Sequence, residues 1–207
     1  MDSEKDLASE WHTGFEHVAA LLTHLRMAWL LKHLPSRLVW AVYVGVNGFV
    51  TIGLLALLAL VTGSPFVFPS LGPTAYLFFF SPLAEASSPR NTIIGHAIGL
   101  LCGYAAFAAT TRFGLPFAAH GAIHAPRVLA AALSLAATGA LMELFRVSHP
   151  PAGATTLIVA LGIICQPKEL VVIQVAGILL TAQAFAINRL AGIQYPLWGS
   201  RMDSKSG

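Results

Sequence analysis

A histidine followed by two prolines is the part of this sequence best suited to chemistry. His149 precedes Pro150 and Pro151. An imidazole changes its charge near neutral pH, so it could hold an anion through a donated hydrogen bond or pass a proton with it. The same ring could instead bond the carbonyl groups that the prolines leave without partners. His96 lies inside an apolar segment, where ionisable residues are usually functional, although it could also serve only to bond across a helix bundle.

Two matching breaks interrupt apolar stretches of the chain. Residues 69–74 read P-S-L-G-P-T and residues 150–155 read P-P-A-G-A-T, so both fit the pattern P-x-x-G-x-T. At each break a glycine and a threonine open a short helix, whose free N–H groups and dipole attract negative charge. The alternative is a pair of packed kinks whose hydroxyls bond nearby carbonyls. We expect the first interpretation, with a small anion bound by His149, Pro150, Pro151, Gly153, Ala154, Thr155, Gly72, Thr74 and Ala75.

Charged residues near the breaks are candidates for a supporting role. Glu143 and Arg146 are three residues apart and so share a helix face, where they can form an interfacial ion pair or support the imidazole of His149. Arg90 precedes a long apolar stretch, as Lys168 does later in the chain. Each could attract an anion at a channel mouth or anchor its helix at the interface. We therefore treat His96, Glu143, Arg146 and Arg90 as supporting residues of the predicted site.

The composition predicts whether water or lipid surrounds this chain. Of its 207 residues, 56% are hydrophobic and only 10% are charged, and the mean hydropathy is +0.72. Soluble domains carry about 25% charged residues, so the apolar excess must face lipid. The net charge of +3 is spread over termini and connections, which gives nucleic-acid binding little support. Because Cys102 and Cys165 lack metal or disulfide spacing and His120 and His124 lack a third ligand, we expect no metal and no cofactor.

The elements that must position these residues repeat along the chain. Four segments are long enough to span a bilayer, namely 38–61, 92–111, 128–145 and 170–187, and the two broken stretches lie between them. The predicted fold is therefore an all-α integral membrane protein with an internal two-fold repeat, in residues 37–113 and 127–191. Each half has a long helix, a broken short helix and a second long helix. We expect an amphipathic interfacial helix within residues 1–36, a transmembrane domain over 37–192 and a tail over 193–207.

The topology and the oligomeric state stay open at this stage. If the broken segments are re-entrant, the halves are parallel, and if they cross fully, the halves are inverted. The excess of Lys and Arg places both termini in the cytoplasm in either case, in the cell (inner) membrane. We favour full crossing. Gly95, Gly99 and Gly103 form a small-residue stripe, which could pack within one subunit or support a homo-oligomer.

Two runs of this sequence resemble a known family. The run Ser148–Thr155, S-H-P-P-A-G-A-T, resembles the signature of the HPP family of integral membrane proteins. Residues 72–75, G-P-T-A, followed by residues 88–91, S-P-R-N, and by Gly95-His96, are similar to that family's other recurring region. The resemblance covers about residues 35 to 190. The loop at residues 83–88 is local to this chain, and no CBS-type domain follows.

The resemblance implies a transporter or channel with four spanning helices. Plant and cyanobacterial members of the family are associated with nitrite transport, whereas most bacterial members lack an assigned substrate. We therefore expect a channel or secondary transporter for a small monovalent anion, with nitrite the first candidate. A non-transporting membrane scaffold or sensor is the alternative. No cluster completes a hydrolase or phosphatase site, so we do not expect an enzyme.

Overall fold

The computed structural model describes residues 26–112 and 125–199, and within these ranges the chain is helical, without strands. These two ranges form seven α-helices and a 3-10 turn at Glu85–Ser87. The helices are α1 Met27–His33, α2 Ser36–Thr62, α3 Leu71–Phe80, α4 Pro89–Arg112, α5 Ala125–Leu144, α6 Pro151–Ala160 and α7 Pro167–Leu190. Of the segment predicted to contain an amphipathic helix, residues 1–36, the first 25 lie outside the described residues. His120 and His124 also lie outside them.

Four helices are long and apolar enough to cross a membrane, as predicted. They are Ser36–Thr62, Pro89–Arg112, Arg127–Leu144 and Pro167–Leu190, with mean hydropathies from 1.4 to 2.3. Large apolar side chains cover their outer faces; Phe49 and Leu60 of α2, for example, are each 81% exposed. Such surfaces are stable only against lipid, so the chain is an all-α membrane protein.

Contacts near the helix ends give the direction of α2, α3 and α7. The hydroxyl of Tyr43, in the third turn of α2, donates to Asn188 Oδ1 near the end of α7 (2.9 Å). Asn188 Nδ2 donates in turn to the carbonyl of Phe78, near the end of α3 (3.2 Å). The start of α2 therefore lies beside the ends of α3 and α7, and this side of the molecule is termed the first end of the bundle.

The other three helices alternate in the same way. Arg90, at the start of α4, donates to the carbonyls of Phe145 and Arg146, just beyond α5 (2.9 and 2.8 Å). Arg127, near the start of α5, donates to Thr110 near the end of α4 (2.9 Å) and to the carbonyl of Ala160, the last residue of α6 (3.4 Å). The backbone N–H of Arg90 donates to the carbonyl of Trp198 (3.1 Å), in the segment that follows α7, so α4 begins at the first end. α4 and α6 therefore run away from the first end, and α5 runs back towards it.

Within the residues that the structure describes, the chain thus passes six times between the two ends of the bundle, although only four of these helices have the length of a full span. α3 and α6 have 10 residues each, about 15 Å of helix, and the non-helical residues before them supply the remaining length. Each short helix is buried on the face that packs inside the bundle: Leu71 and Phe78 of α3 and Ala152 and Val159 of α6 are all 0% exposed, whereas Tyr76 and Phe80 of α3 are 51% and 58% exposed. The non-helical backbone before them is anchored in the protein by buried side chains that alternate with exposed ones: Phe68 and Ser70 before α3, and Val147 and His149 before α6, are buried.

The six passes predict which connections share a side of the membrane. In a chain with Cys102 and Cys165 replaced, single cysteines made by Arg37→Cys and Leu83→Cys should be labelled by an impermeant maleimide from one side. Arg112→Cys should be labelled from the other side. All three side chains are exposed in the protein. Labelling of positions 37 and 112 from the same side would contradict the six-pass order of the helices.

Candidate functional site

Four of the predicted site residues meet in a single hydrogen-bonded cluster. The Nε2 atoms of His96 and His149 lie 3.3 Å apart, and their ring centroids are 4.8 Å apart. Thr74 Oγ1 lies 3.0 Å from His96 Nε2 and 3.2 Å from His149 Nε2. Thr155 Oγ1 lies 2.8 Å from His96 Nδ1. The two threonines come from the two P-x-x-G-x-T motifs, so both breaks contribute to the same site.

Each member of this cluster is positioned by the local sequence. Thr74 stands in the first turn of α3 and donates to the carbonyl of Ser70, four residues earlier (3.0 Å). Thr155 stands in α6, and its hydroxyl donates to Ser70 Oγ (2.7 Å). His149 immediately precedes the start of α6 at Pro150-Pro151, where proline can begin a helix because the first N–H groups need no partner there. His96 lies two turns inside α4.

Two members of the cluster were not predicted from the sequence. Ser70 joins the two short helices through the bonds just described, and Thr92 Oγ1 lies 3.4 Å from His149 Nδ1. Ser70 is the second residue of the first P-x-x-G-x-T motif, so the motif contained the signal. Thr92 lies one helical turn before His96 on the same helix, a spacing that could have suggested it. Ser70, Thr74, Thr92, His96, His149 and Thr155 are all 0–1% exposed.

The cluster is closed towards the first end by the 3-10 turn. His149 Nδ1 lies 2.8 Å from the carbonyl oxygen of Ala86. Ser87 Oγ donates to the carbonyls of Leu77 and Ser81 (3.1 and 2.7 Å), and the carbonyl of Ser87 accepts a hydrogen bond from the buried hydroxyl of Tyr195. Burial raises the pKa of Tyr195 above its ordinary value, so this phenol remains a donor. Tyr195 lies in the segment predicted as the tail, and its side chain is 0% exposed.

The remaining predicted binding residues lie around the cluster rather than in it. Gly72 and Pro150 are exposed, Pro151 is buried, and Gly153 and Ala154 are half-buried. Ala75, 2% exposed, packs in the apolar core. The N–H groups of Ala152 and Gly153 donate to the carbonyls of His149 and Pro150, both at 3.0 Å. These helix-start donors are already bonded, so side chains supply the polar atoms that converge here.

The four predicted supporting residues lie at different places relative to the cluster. Arg90 is tied to the carbonyls at the end of α5 and to Asn91 Oδ1 (3.1 Å), so its guanidinium caps a neighbouring helix. Glu143 and Arg146 are both exposed, and among the described residues no ion pair joins them. Arg146 has a positive φ of 51° where the chain leaves α5. Of the four supporting residues, only His96 belongs to the cluster.

The glycine stripe of α4 is the surface on which α6 rests. A Cβ added to Gly95 would lie 2.7 Å from His149 Cβ, one at Gly99 would lie 2.7 Å from the carbonyl of Ala152, and one at Gly103 would lie 2.7 Å from that of Thr156. The stripe is therefore covered within the chain. The suggested homo-oligomer through Gly95, Gly99 and Gly103 is wrong, because this close backbone approach leaves no room for a second copy.

A helical membrane bundle with a polar cluster at the meeting point of two short helices is consistent with a transmembrane transporter or channel. A family model described as HPP, transmembrane region, matches residues 32–196. The chain therefore belongs to the HPP family, and the resemblance stated from the motifs is confirmed. No curated protein and no solved structure matches the chain.

The close approach of α4 and α6 predicts a large effect of one methyl group. Gly99→Ala should destabilise the protein by about 1–3 kcal/mol, because the new methyl overpacks the backbone of α6. Gly139→Ala is the matched control, since a Cβ there meets nothing within 4 Å. The measurement is the melting temperature of both variants in detergent. Equal melting temperatures would show that the two helices do not touch at Gly99.

Proposed function

We propose that this protein is a channel or secondary transporter for a small monovalent anion, with nitrite as the first substrate to test. One observation carries the proposal. Thr74 Oγ1 and Thr155 Oγ1, from matching positions of the two motifs, lie 3.0 and 2.8 Å from the two ring nitrogens of His96, and the imidazole of His149 lies 3.3 Å from His96 Nε2. A polar cluster of this kind is costly inside a membrane and is usually kept for function.

The chemistry of the cluster suits an anion that is small and hydrogen-bonded. Imidazole N–H groups and hydroxyls are donors that can turn towards negative charge, and a protonated imidazole adds positive charge. The sequence has no P-loop for nucleotide binding, so the proposal is a channel or a secondary transporter rather than a primary pump. Nitrite is chosen because the family resemblance associates some members with it.

A cavity at the first end supplies the approach to the cluster. It has a volume of about 630 Å³ and is lined by residues that include Leu83, Arg189, Gln194, Tyr195 and Trp198. Arg189 gives this cavity a positive charge that attracts anions. Tyr195 lies between cavity and cluster, because its hydroxyl bonds the 3-10 turn whose Ala86 carbonyl bonds His149. Movement of Tyr195 with this turn would open the cluster to the cavity.

The order of passes supports an alternating-access arrangement. α2, α3 and α4 run in directions opposite to those of α5, α6 and α7, as the halves of an inverted repeat do. We place the first end in the cytoplasm, on the inner side of the cell membrane, because basic residues are more frequent there. The first end then carries Arg37, Arg90, Arg146 and Arg189, and the opposite end carries Arg112, Arg127 and Lys168.

Nitrite flux into proteoliposomes tests the proposal. Thr155→Val removes one hydroxyl from the cluster and should lower the protein-dependent flux at least tenfold, and His149→Ala should do the same. Thr181→Val is the matched control. Thr181 is buried, and among the described residues its hydroxyl bonds only the carbonyl of Gly177 in its own helix (2.7 Å), so the loss of this hydroxyl should leave the flux unchanged.

Protein-free vesicles at the same pH are essential in this experiment, because nitrous acid crosses bilayers unaided. The protein-dependent flux is the difference between the two vesicle preparations. Equal nitrite flux in empty and protein-loaded vesicles would overturn the transport proposal. Equal flux in wild type and Thr155→Val would leave transport standing but remove the cluster from its path.

A further inference from the structure

The hydrogen positions of His149 follow from its partner. Ala86 offers a carbonyl oxygen, which can only accept, so the Nδ1 atom of His149 at 2.8 Å must carry the hydrogen. Thr92 Oγ1, at 3.4 Å, is a second and weaker acceptor for the same N–H. A neutral imidazole has one N–H only, and the Nε2 atom of His149 is therefore a bare acceptor.

The hydrogen of His96 is fixed in a similar way by Thr155. The hydroxyl of Thr155 donates to Ser70 Oγ at 2.7 Å, so its single hydrogen is already used. The 2.8 Å contact between Thr155 Oγ1 and His96 Nδ1 must then be donated by the imidazole. In its neutral form His96 also carries its hydrogen on Nδ1 and presents Nε2 as a bare acceptor.

Two bare nitrogens therefore face each other beside one hydroxyl. His96 Nε2, His149 Nε2 and Thr74 Oγ1 form a triangle with sides of 3.0, 3.2 and 3.3 Å. Thr74 has the only hydrogen in this triangle, and that hydrogen can be donated to the carbonyl of Ser70 or to one ring nitrogen, so at least one Nε2 stays without a donor. Buried acceptors without donors are unfavourable, so the neutral cluster lacks one hydrogen. A proton added to either Nε2 would form an N–H···N bond between the rings.

A lone proton would, however, leave an unpaired positive charge inside the bundle. α3 and α6 contain no Asp, Glu, Lys or Arg at all. The charged side chains of the other elements around the pair are bonded elsewhere or exposed. Glu85 Oε1 accepts a hydrogen bond from Asn91 (3.4 Å), and Glu169 accepts one from the backbone N–H of Gln166 at the start of α7 (3.3 Å). Arg90 and Arg127 donate to backbone carbonyls. The remaining charged side chains nearby are exposed, namely Glu143, Arg112 and Lys168. No carboxylate of the described residues bonds either imidazole.

We propose that His96 and His149 take up one proton between their Nε2 atoms together with the anion, so that the two bind as a neutral pair. This inference rests on the proposed anion function and adds that binding of the anion is coupled to uptake of a proton. The proton comes from water, forms one N–H bond on one ring and is hydrogen-bonded by the other. The anion supplies the missing countercharge, and the proton supplies the missing hydrogen. By linkage, each promotes binding of the other equally.

Nitrite binding to the purified protein in detergent tests this coupling. Calorimetry in two buffers of different ionisation enthalpy should give uptake of about one proton per nitrite bound. Across the range in which the free cluster is neutral, the Kd should rise about tenfold for each unit of increasing pH, because one proton is lost from the bound state. Equilibrium dialysis provides an independent Kd for nitrite.

One variant separates the proton from the anion. In His96→Gln, an uncharged amide N–H can fill the triangle, so proton uptake should fall to near zero and the Kd should become independent of pH. His33→Gln is the matched control, because His33 is exposed on α1 and bonds the carbonyl of Trp29, away from the cluster. Its uptake should remain about one proton.

The possible failures are distinguishable. Nitrite binding by the wild type without proton uptake, and with a Kd that does not change with pH, would overturn the shared proton while the anion function stands. An absence of nitrite binding in dialysis would overturn both. The wild-type result decides the matter even where His96→Gln does not fold.

Discussion

Polar side chains enclosed in a membrane bundle must satisfy one another, because neither lipid nor bulk water reaches them. In this protein the polar side chains that must bond one another lie on and just before the two short helices. The non-helical segments before these helices bring Ser70 and His149 to the centre. Thr74 then lies beside both imidazoles, and Ser70 joins α3 to α6 through Thr155. The glycine stripe of α4 contributes to the same cluster, since it lets α6 approach closely enough for His149 to reach His96.

Much of this fold follows from the long hydrophobic runs in the sequence and from the Pro and Gly residues that interrupt them. The four spans were predictable because lipid demands about 20 apolar residues, and the two breaks were predictable because Pro and Gly interrupt such runs. Thr74, Thr155, His96 and His149 could also be selected as candidates from residue type and position, and the structure brings these four together. Whether the broken segments cross or return was not predictable, because extended backbone plus a short helix fits either path.

The contacts that make the site could not be predicted from one sequence. His96 and His149 are 53 residues apart, and nothing in their local sequence indicates that their rings meet. The expected role of the backbone N–H groups was overestimated for α6, where turn bonds already use those of Ala152 and Gly153. The two halves also differ chemically. In the register of the predicted repeat, His149 corresponds to Phe68, which lies in the apolar core, so the proposed proton-binding pair has no equivalent there.

The central claim is that an anion binds beside the two imidazoles, and nitrogen NMR of histidine-labelled protein tests it most directly. Single His96→Gln and His149→Gln variants assign the two buried rings. Without nitrite, both Nε2 resonances should lie at the position of a bare ring nitrogen. On addition of nitrite, they should move together towards the position of a protonated nitrogen, while the exposed His33 stays unchanged. Saturating nitrite that leaves both buried resonances in place would contradict the account.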